Sequence, residues 1–291
     1  MRLGIGLPTA GSENGAEAIA AAAEGAERIG LDSVWSFERL LMPTNEGYAG
    51  QLPDAYASVY APMEVLAYVA AKTSRVTLGT SIMVALLHNP VDLARRFATL
   101  DQLSNGRAVV GLGQGWMPEE FEAAGVPLSR RGAGFAEFLE AMRAAWAPDP
   151  TSYDGRFYRF AESKIGPKPV QPGGPPILVA AMAPASLQRT AAAGLGINPI
   201  WFGWDALTET AGAFREAASA AGHDPAVLPI VLRVNASLTE TAQGTEATVV
   251  GSPEQVAEAI PRLAELGVTE ILWSMDLPVD DQLGLLGQLV G

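Results

Sequence analysis

The sequence predicts an α/β fold, a single-domain (β/α)8 TIM barrel with loop insertions. Three observations carry this. Short apolar runs alternate with helical stretches from end to end, and eight such runs occur, nearly every one followed by a helix. That is the pattern of a parallel sheet closed on itself with helices outside. The chain has 291 residues, 48% of them apolar, which suits one barrel domain and its core. No internal repeat or linker divides residues 1–291. An open doubly wound sheet is the alternative reading of the same alternation.

The elements follow in order. "LGIGLPT" (Leu3 to Thr9) reads as a buried strand. In the next stretch Ile19, Ala22, Ala23 and Ala26 recur with helical spacing, and Gly30 supplies the stop. "DSVWSFE" (Asp32 to Glu38) is the second strand, followed by a long Pro/Gly-rich loop. Pro62 opens a helix reaching about Ser74, and Val76 to Val84 is the third strand. Asn89-Pro90 starts a helix, a capping side chain followed by a residue that needs no donor. Leu93, Phe97 and Leu100 line it and "SNG" at 104–106 ends it.

The fourth strand is Arg107 to Gly113, and Phe135, Leu139, Met142 and Trp146 stripe a longer helix. "SYDGRFYRF" predicts a hairpin with Asp154-Gly155 as its two-residue turn. Pro176 to Ala181 is the fifth strand, with a helix from Pro184; Gly196 to Phe202 is the sixth, interrupted by Pro199. A helix spans about Asp205 to Ala221, and Leu228 to Thr239 is the seventh strand. Ser252 and Gln255 form a capping box, and Pro261 lies in the helix they open. Thr269 to Met275 is the eighth strand, and a short helix closes the chain.

Composition excludes several chemistries. There is no cysteine, so disulfides, thiolate nucleophiles and thiolate metal sites are out. The two histidines, His88 and His223, are far apart in sequence and make no HExxH pair. A net charge of -13 argues against nucleic acid or an anionic membrane as partner, while leaving room for an anionic cofactor in a local basic pocket. No signal-peptide pattern opens the chain. The longest uncharged stretch, Pro169 to Gln188, holds five prolines and is no membrane helix. A soluble cytoplasmic protein is expected.

In a barrel the active site lies at the C-terminal ends of the strands. The segments to inspect include Pro8-Thr9, Ser36 to Arg39, Ser81 to Val84, Gly113 to Trp116, Ala181 to Ala183, Asn235 and Trp273 to Asp276. Within "VVGLGQGW", Gly111, Gly113 and Gly115 give G-x-G-x-G. The dinucleotide fingerprint is G-x-G-x-x-G in the first βα turn; here the third glycine is one place early and the strand is the fourth. The glycines still mark close backbone approach, either to a ligand or to a neighbouring strand.

The block "VTLGTSIMVALLHNPVDLARRFATLDQLSNGRAVVGLGQGWMPEEFEAAGVPLSRRG" resembles the luciferase-like oxidoreductases, which bind flavin or the deazaflavin coenzyme F420. So do "GLPT", "DSVW", "RLLMP", "GPKPVQ" and "GSPEQVAEAI". The resemblance covers almost the whole chain and is closest to the F420-dependent branch. It implies a (β/α)8 barrel, a homodimer and hydride transfer between deazaflavin C5 and a small organic substrate. An FMN-dependent monooxygenase is the alternative, and a non-catalytic flavin-binding relative a third.

By resemblance, Ser81-Ile82 matches a non-proline cis peptide supporting the cofactor's central ring. Gln114 and Gly115 match the loop on its pyrimidine side or tail, and Ala181, Met182 and Ala183 the turn that receives its phosphate at a helix N-terminus. Glu38 matches an acidic residue at the ring. In the sugar-phosphate dehydrogenase branch a catalytic His falls at Arg39 and a catalytic Glu at Trp116. Histidine-based alcohol oxidation therefore does not carry over, and Glu38, Arg39 and Trp116 are the catalytic candidates.

Arg39 is either an anion clamp or the partner of Glu38 or another acid. Trp35, Trp116, Trp201, Trp204 and Trp273 fall near strand ends, as pocket walls or core. Glu119 and Glu120 favour the start of a short helix. Arg130 and Arg131 are read as tail contacts or a solvated helix start, and His88 as a loop residue beside the Asn89 cap. The substrate loops are 40–61 and 149–175.

Overall fold

A computed structural model describes residues 1–11, 15–48, 52–274 and 278–290. Its strands are β1 (Arg2–Gly6), β2 (Ser33–Ser36), β3 (Thr77–Thr80), β4 (Met83–Val84), β5 (Ala108–Gly113), β6 (Thr151–Asp154), β7 (Arg159–Ser163), β8 (Ile177–Val179), β9 (Gly196–Ile197), β10 (Ile230–Val234) and β11 (Val268–Trp273). Among the described residues, parallel pairing runs β1–β2–β3–β5–β8–β9–β10–β11 and returns from β11 to β1. The β3–β5 pairing closes the ring, which rules out the open sheet. The predicted eighth strand is present as β11; Met275 and Asp276 lie outside the described residues.

The helices are α1 (Ala16–Ile29), α2 (Pro62–Ala70), α3 (Pro90–Leu103), α4 (Pro118–Ala123), α5 (Ala133–Trp146), α6 (Pro184–Ala192), α7 (Trp204–Ala220), α8 (Pro253–Glu265) and α9 (Val279–Val290). Their starts and stops follow local chemistry. The Asn89 side chain accepts from the N–H of Val91 at 2.9 Å and Asp92 at 3.2 Å, meeting orphan donors of α3. The Ser252–Gln255 capping box opens α8, which continues through Pro261. Gly30 ends α1 at φ 97°, a left-handed conformation that costs glycine little.

Two apolar layers result. Outside the sheet, Ala22, Ala26, Leu66, Phe97, Phe138 and Phe214 pack the helices onto the strands. Inside, Trp35, Leu178, Val231 and Leu272 fill the barrel. Gly79 makes room for Trp35: a Cβ there would lie 2.2 Å from the indole. On Gly4 a Cβ would lie 2.2 Å from Ser33 Oγ. The indole N–H donates to Ser33 Oγ at 2.7 Å and to Glu270 at 3.1 Å. Ser33 also donates to Glu270, and Arg2 lies 3.5 Å from its other oxygen. Burial pushes the Glu270 carboxyl above its ordinary range.

Local expectations change in places, and the seventh strand, read as Leu228 to Thr239, is confined to Ile230–Val234. The predicted hairpin forms as β6 and β7, but Asp154 pairs with Arg159, so four residues rather than Asp154-Gly155 alone make the turn. Gly155 N–H donates to Tyr158 O at 3.0 Å across it. The sixth strand shrinks to Gly196–Ile197 plus a bridge from Ile200 to Arg233, because Pro199 offers only its carbonyl, which accepts from Arg233 N–H at 2.8 Å.

Candidate active site at the barrel mouth

The third barrel strand is broken. Leu78 and Gly79 pair with Ala108 and Val109, while Met83 and Val84 pair with Leu112 and Gly113. One extra residue on the β3–β4 side makes a bulge, and the Ser81–Ile82 peptide within it is cis. Thr80 Oγ1 donates to Gly111 O at 2.8 Å and accepts from its N–H at 2.9 Å. A Cβ on Gly111 would stand 1.7 Å from the Thr80 carbonyl oxygen, and one on Gly113 2.7 Å from Ile82 Cδ1. Gly115 turns at φ 75° against Val84 and Phe121. The broken strand packs against all three glycines, with Phe121 of α4 also against Gly115.

Glu38 holds the break from the β2 side. Its N–H donates to Ile82 O at 3.1 Å. One carboxylate oxygen accepts from Val84 N–H at 2.8 Å, and the other lies 2.8 Å from His88 Nε2. Ser81 Oγ donates to Asn198 at 2.6 Å, and the Ser81 carbonyl accepts from Arg233.

Arg39 pairs with Glu120 at 3.1 Å rather than with Glu38, and their side chains are 10% and 1% exposed. Its guanidinium lies over Tyr56 at 5.3 Å and over Trp116 at 5.5 Å. Glu120 also accepts from Leu40 N–H at 2.8 Å, while Glu119 accepts from Asn45 at 3.1 Å and Tyr48 OH at 2.9 Å. These two acids thus tether the loop after β2 to α4. Burial and the Glu119 contact raise the Tyr48 phenol.

Two cavities open at this end of the barrel. One, of about 760 Å³, lies over β1, β2, β10 and β11 and is lined by Thr9, Phe37, Tyr56, Arg233, Asn235 and Ser274 among others. The other, of about 550 Å³, lies between the end of β5 and the start of α6, with Gln114, Arg131, Ala183, Ser186 and Arg189 in its wall. Thr9 Oγ1, Ser36 Oγ and Arg39 Nε are buried around the mouth without a hydrogen-bond partner. Unpaired buried polar atoms are costly, and a bound polar ligand would offset that cost.

A family model described as luciferase-like monooxygenase matches residues 1–248. The chain belongs to this luciferase-like family. Within it, an uncharacterized protein of Mycobacterium tuberculosis is 34% identical over 270 residues, 90% of this chain and 89% of that one. The F420-dependent glucose-6-phosphate dehydrogenase of Kineococcus radiotolerans is 34% identical over 237 residues, 78% of this chain and 66% of that one. Among solved structures, the monooxygenase RslO1 of Streptomyces bottropensis superposes with a TM-score of 0.81 at 27% identity, covering 99% of this chain and 98% of that one. The protein is an oxidoreductase of the luciferase-like type.

This luciferase-like enzyme gathers its sequence-predicted residues around one mouth, in separate groups. Glu38, Ser81 and Ile82 meet at the broken strand. Arg39 and Trp116, the latter 51% exposed, form the aromatic–cation cluster. Gln114 and Ala183 wall the second cavity; Ala181 is buried below it and Met182 exposed. Gln114 accepts from Gly132 N–H at 2.6 Å, which orders the turn before α5. Arg131 lines this cavity, whereas Arg130 stacks on Phe157 at 4.7 Å. Trp35 and Trp273 are core. Sequence reasoning missed His88 as the partner of Glu38, Tyr56 beneath Arg39, and Arg233 at the end of β10. A lone cation in an otherwise apolar strand was the available signal for Arg233.

Proposed function

We propose that this luciferase-like oxidoreductase uses coenzyme F420 to move a hydride to or from a small organic substrate. One observation carries the reading. The mouth combines shape, charge and unpaired polar atoms, yet the chain has no cysteine to act as redox group or nucleophile. Such a site positions a cofactor that carries the chemistry. The likeness to an F420-dependent dehydrogenase over 78% of the chain supports F420 as that cofactor. When bound, F420 supplies two-electron hydride exchange at its C5 position.

In this reading the protein's residues divide the work. The Ser81–Ile82 backbone, held by Glu38, supports the ring face. Gln114, Gly115 and the turn at Ala181, Met182 and Ala183 hold the pyrimidine side and the anionic tail, with Arg131 and Arg189 contributing positive charge. Arg39 and Trp116 border the reacting end. Pairing into a homodimer belongs to the same proposal and is tested by light scattering.

The likeness to RslO1 over 99% of the chain favours a second reading, an FMN-dependent monooxygenase. Fluorescence titration of the purified protein with F420 and with FMN separates the two. Tighter binding of F420 supports the first, tighter binding of FMN the second. Binding of neither at micromolar concentration overturns both.

A further inference from the structure

The larger cavity contains a cation that lies over the Phe37 ring at 5.5 Å and pairs with no carboxylate among the described residues. Arg233, next to last in β10, turns its guanidinium toward the mouth. Its Nε donates to Asn235 Oδ1 at 2.7 Å, one terminal nitrogen to the Ser81 carbonyl, and the other to Ser274 Oγ at 3.3 Å. All three acceptors are neutral. Of the five guanidinium N–H groups these bonds use three, leaving one on each terminal nitrogen. Among the described residues no carboxylate reaches Arg233 within ion-pair distance. Asp54 stands in the same cavity wall but is exposed at its rim, and Glu120 is committed to Arg39.

The surroundings raise the cost of that charge. Burial pushes Arg233 below its ordinary pKa; Tyr56 works against this, and the nearby Arg39 guanidinium adds to it. Thr9 Oγ1, in the same wall, is buried without a partner. A desolvated cation is stabilised by an anion that accepts from both terminal nitrogens, and a carboxylate has that two-pronged shape. Phe37 and Tyr56 supply aromatic surface beside it, suited to the apolar body of such a molecule.

Position separates this site from the cofactor's anionic end. The second cavity sits at β5 and α6. In the ring order, β5 and β8 lie opposite β11 and β1, where the Arg233 cavity opens. We infer that the cavity over β1, β2, β10 and β11 is the substrate pocket, and that it takes a small organic carboxylate bound through Arg233. This deepens the proposed function and rests on the mouth being the oxidoreductase's substrate end.

The test is calorimetric titration of the full-length protein with benzoate and with benzamide, a pair differing in charge. It is run without cofactor and again with saturating F420. Wild type should bind benzoate at least about tenfold more tightly, the low end of what a charge-assisted hydrogen bond contributes. Arg233→Met should abolish the preference and Arg233→Lys should keep part of it. Equal binding of the two probes by wild type overturns the inference. So does a preference that survives Arg233→Met in a variant whose circular dichroism and melting match wild type. Loss of F420 binding in both variants assigns Arg233 to the cofactor and also overturns it. Because the cofactor-free titration does not need F420, failure of the F420 reading leaves this result separately readable.

Discussion

Glu120 shows how a single side chain fixes the mouth. Its carboxylate is buried, pairs with Arg39 and takes the N–H of Leu40. Removing one partner of a buried pair leaves the other charge uncompensated, at about 3–5 kcal/mol. Glu120→Ala is expected to lower unfolding free energy by about 3 kcal/mol, read from the urea midpoint at constant slope. An unchanged midpoint would mean that Arg39 finds another acceptor. From sequence alone Glu119 and Glu120 looked like helix-start acids, because nothing local reveals that a loop some eighty residues earlier returns to them. His88 was hidden for the same reason: its partner Glu38 lies fifty residues away, and only closure of β2 against the broken third strand joins them.

At the scale of elements, the pairing of β5 with β3 and β4 governs the site. A Cβ on Gly111 would meet the rigid Thr80 carbonyl, whereas one on Gly113 would meet the end of the Ile82 side chain, which can rotate. Gly111→Ala should therefore cost more than the about 1–3 kcal/mol typical of overpacking, and Gly113→Ala less than Gly111→Ala. Equal melting temperatures for the two variants would contradict this geometry. Another junction joins α1 to the start of β3. Glu27 takes the N–H groups of Ser74, Arg75 and Val76. Burial pushes its carboxyl up, but those bonds prevail and hold it at about 2. A lowered carboxylate pKa stabilises the fold above the unfolded value and loses that contribution as pH falls. Acid unfolding of wild type should thus include a component between pH 4.5 and about 2, absent in Glu27→Gln. Helix caps, the succession of strands and helices, and the periodic faces were legible because they are written in neighbouring residues. The hairpin's turn length was not, since register is settled by the partner strand, and the break at Ser81-Ile82 was legible by resemblance alone.

For the molecule as a whole, binding and stability are linked. A ligand that binds only the folded barrel stabilises it by about 2.7 kcal/mol at a hundredfold excess over Kd. F420 at that excess should raise the melting temperature, and FMN at the same concentration should raise it less. The reverse order would move the assignment to the monooxygenase reading. The end opposite the mouth also shapes how the protein meets its ligands. Trp35, set into the space left by Gly79, is bonded to the Ser33–Glu270 pair above Arg2, so that end of the barrel is plugged and the two mouth cavities are reached from the opposite side. A molecule in either cavity therefore enters and leaves without crossing the barrel interior, which is packed core.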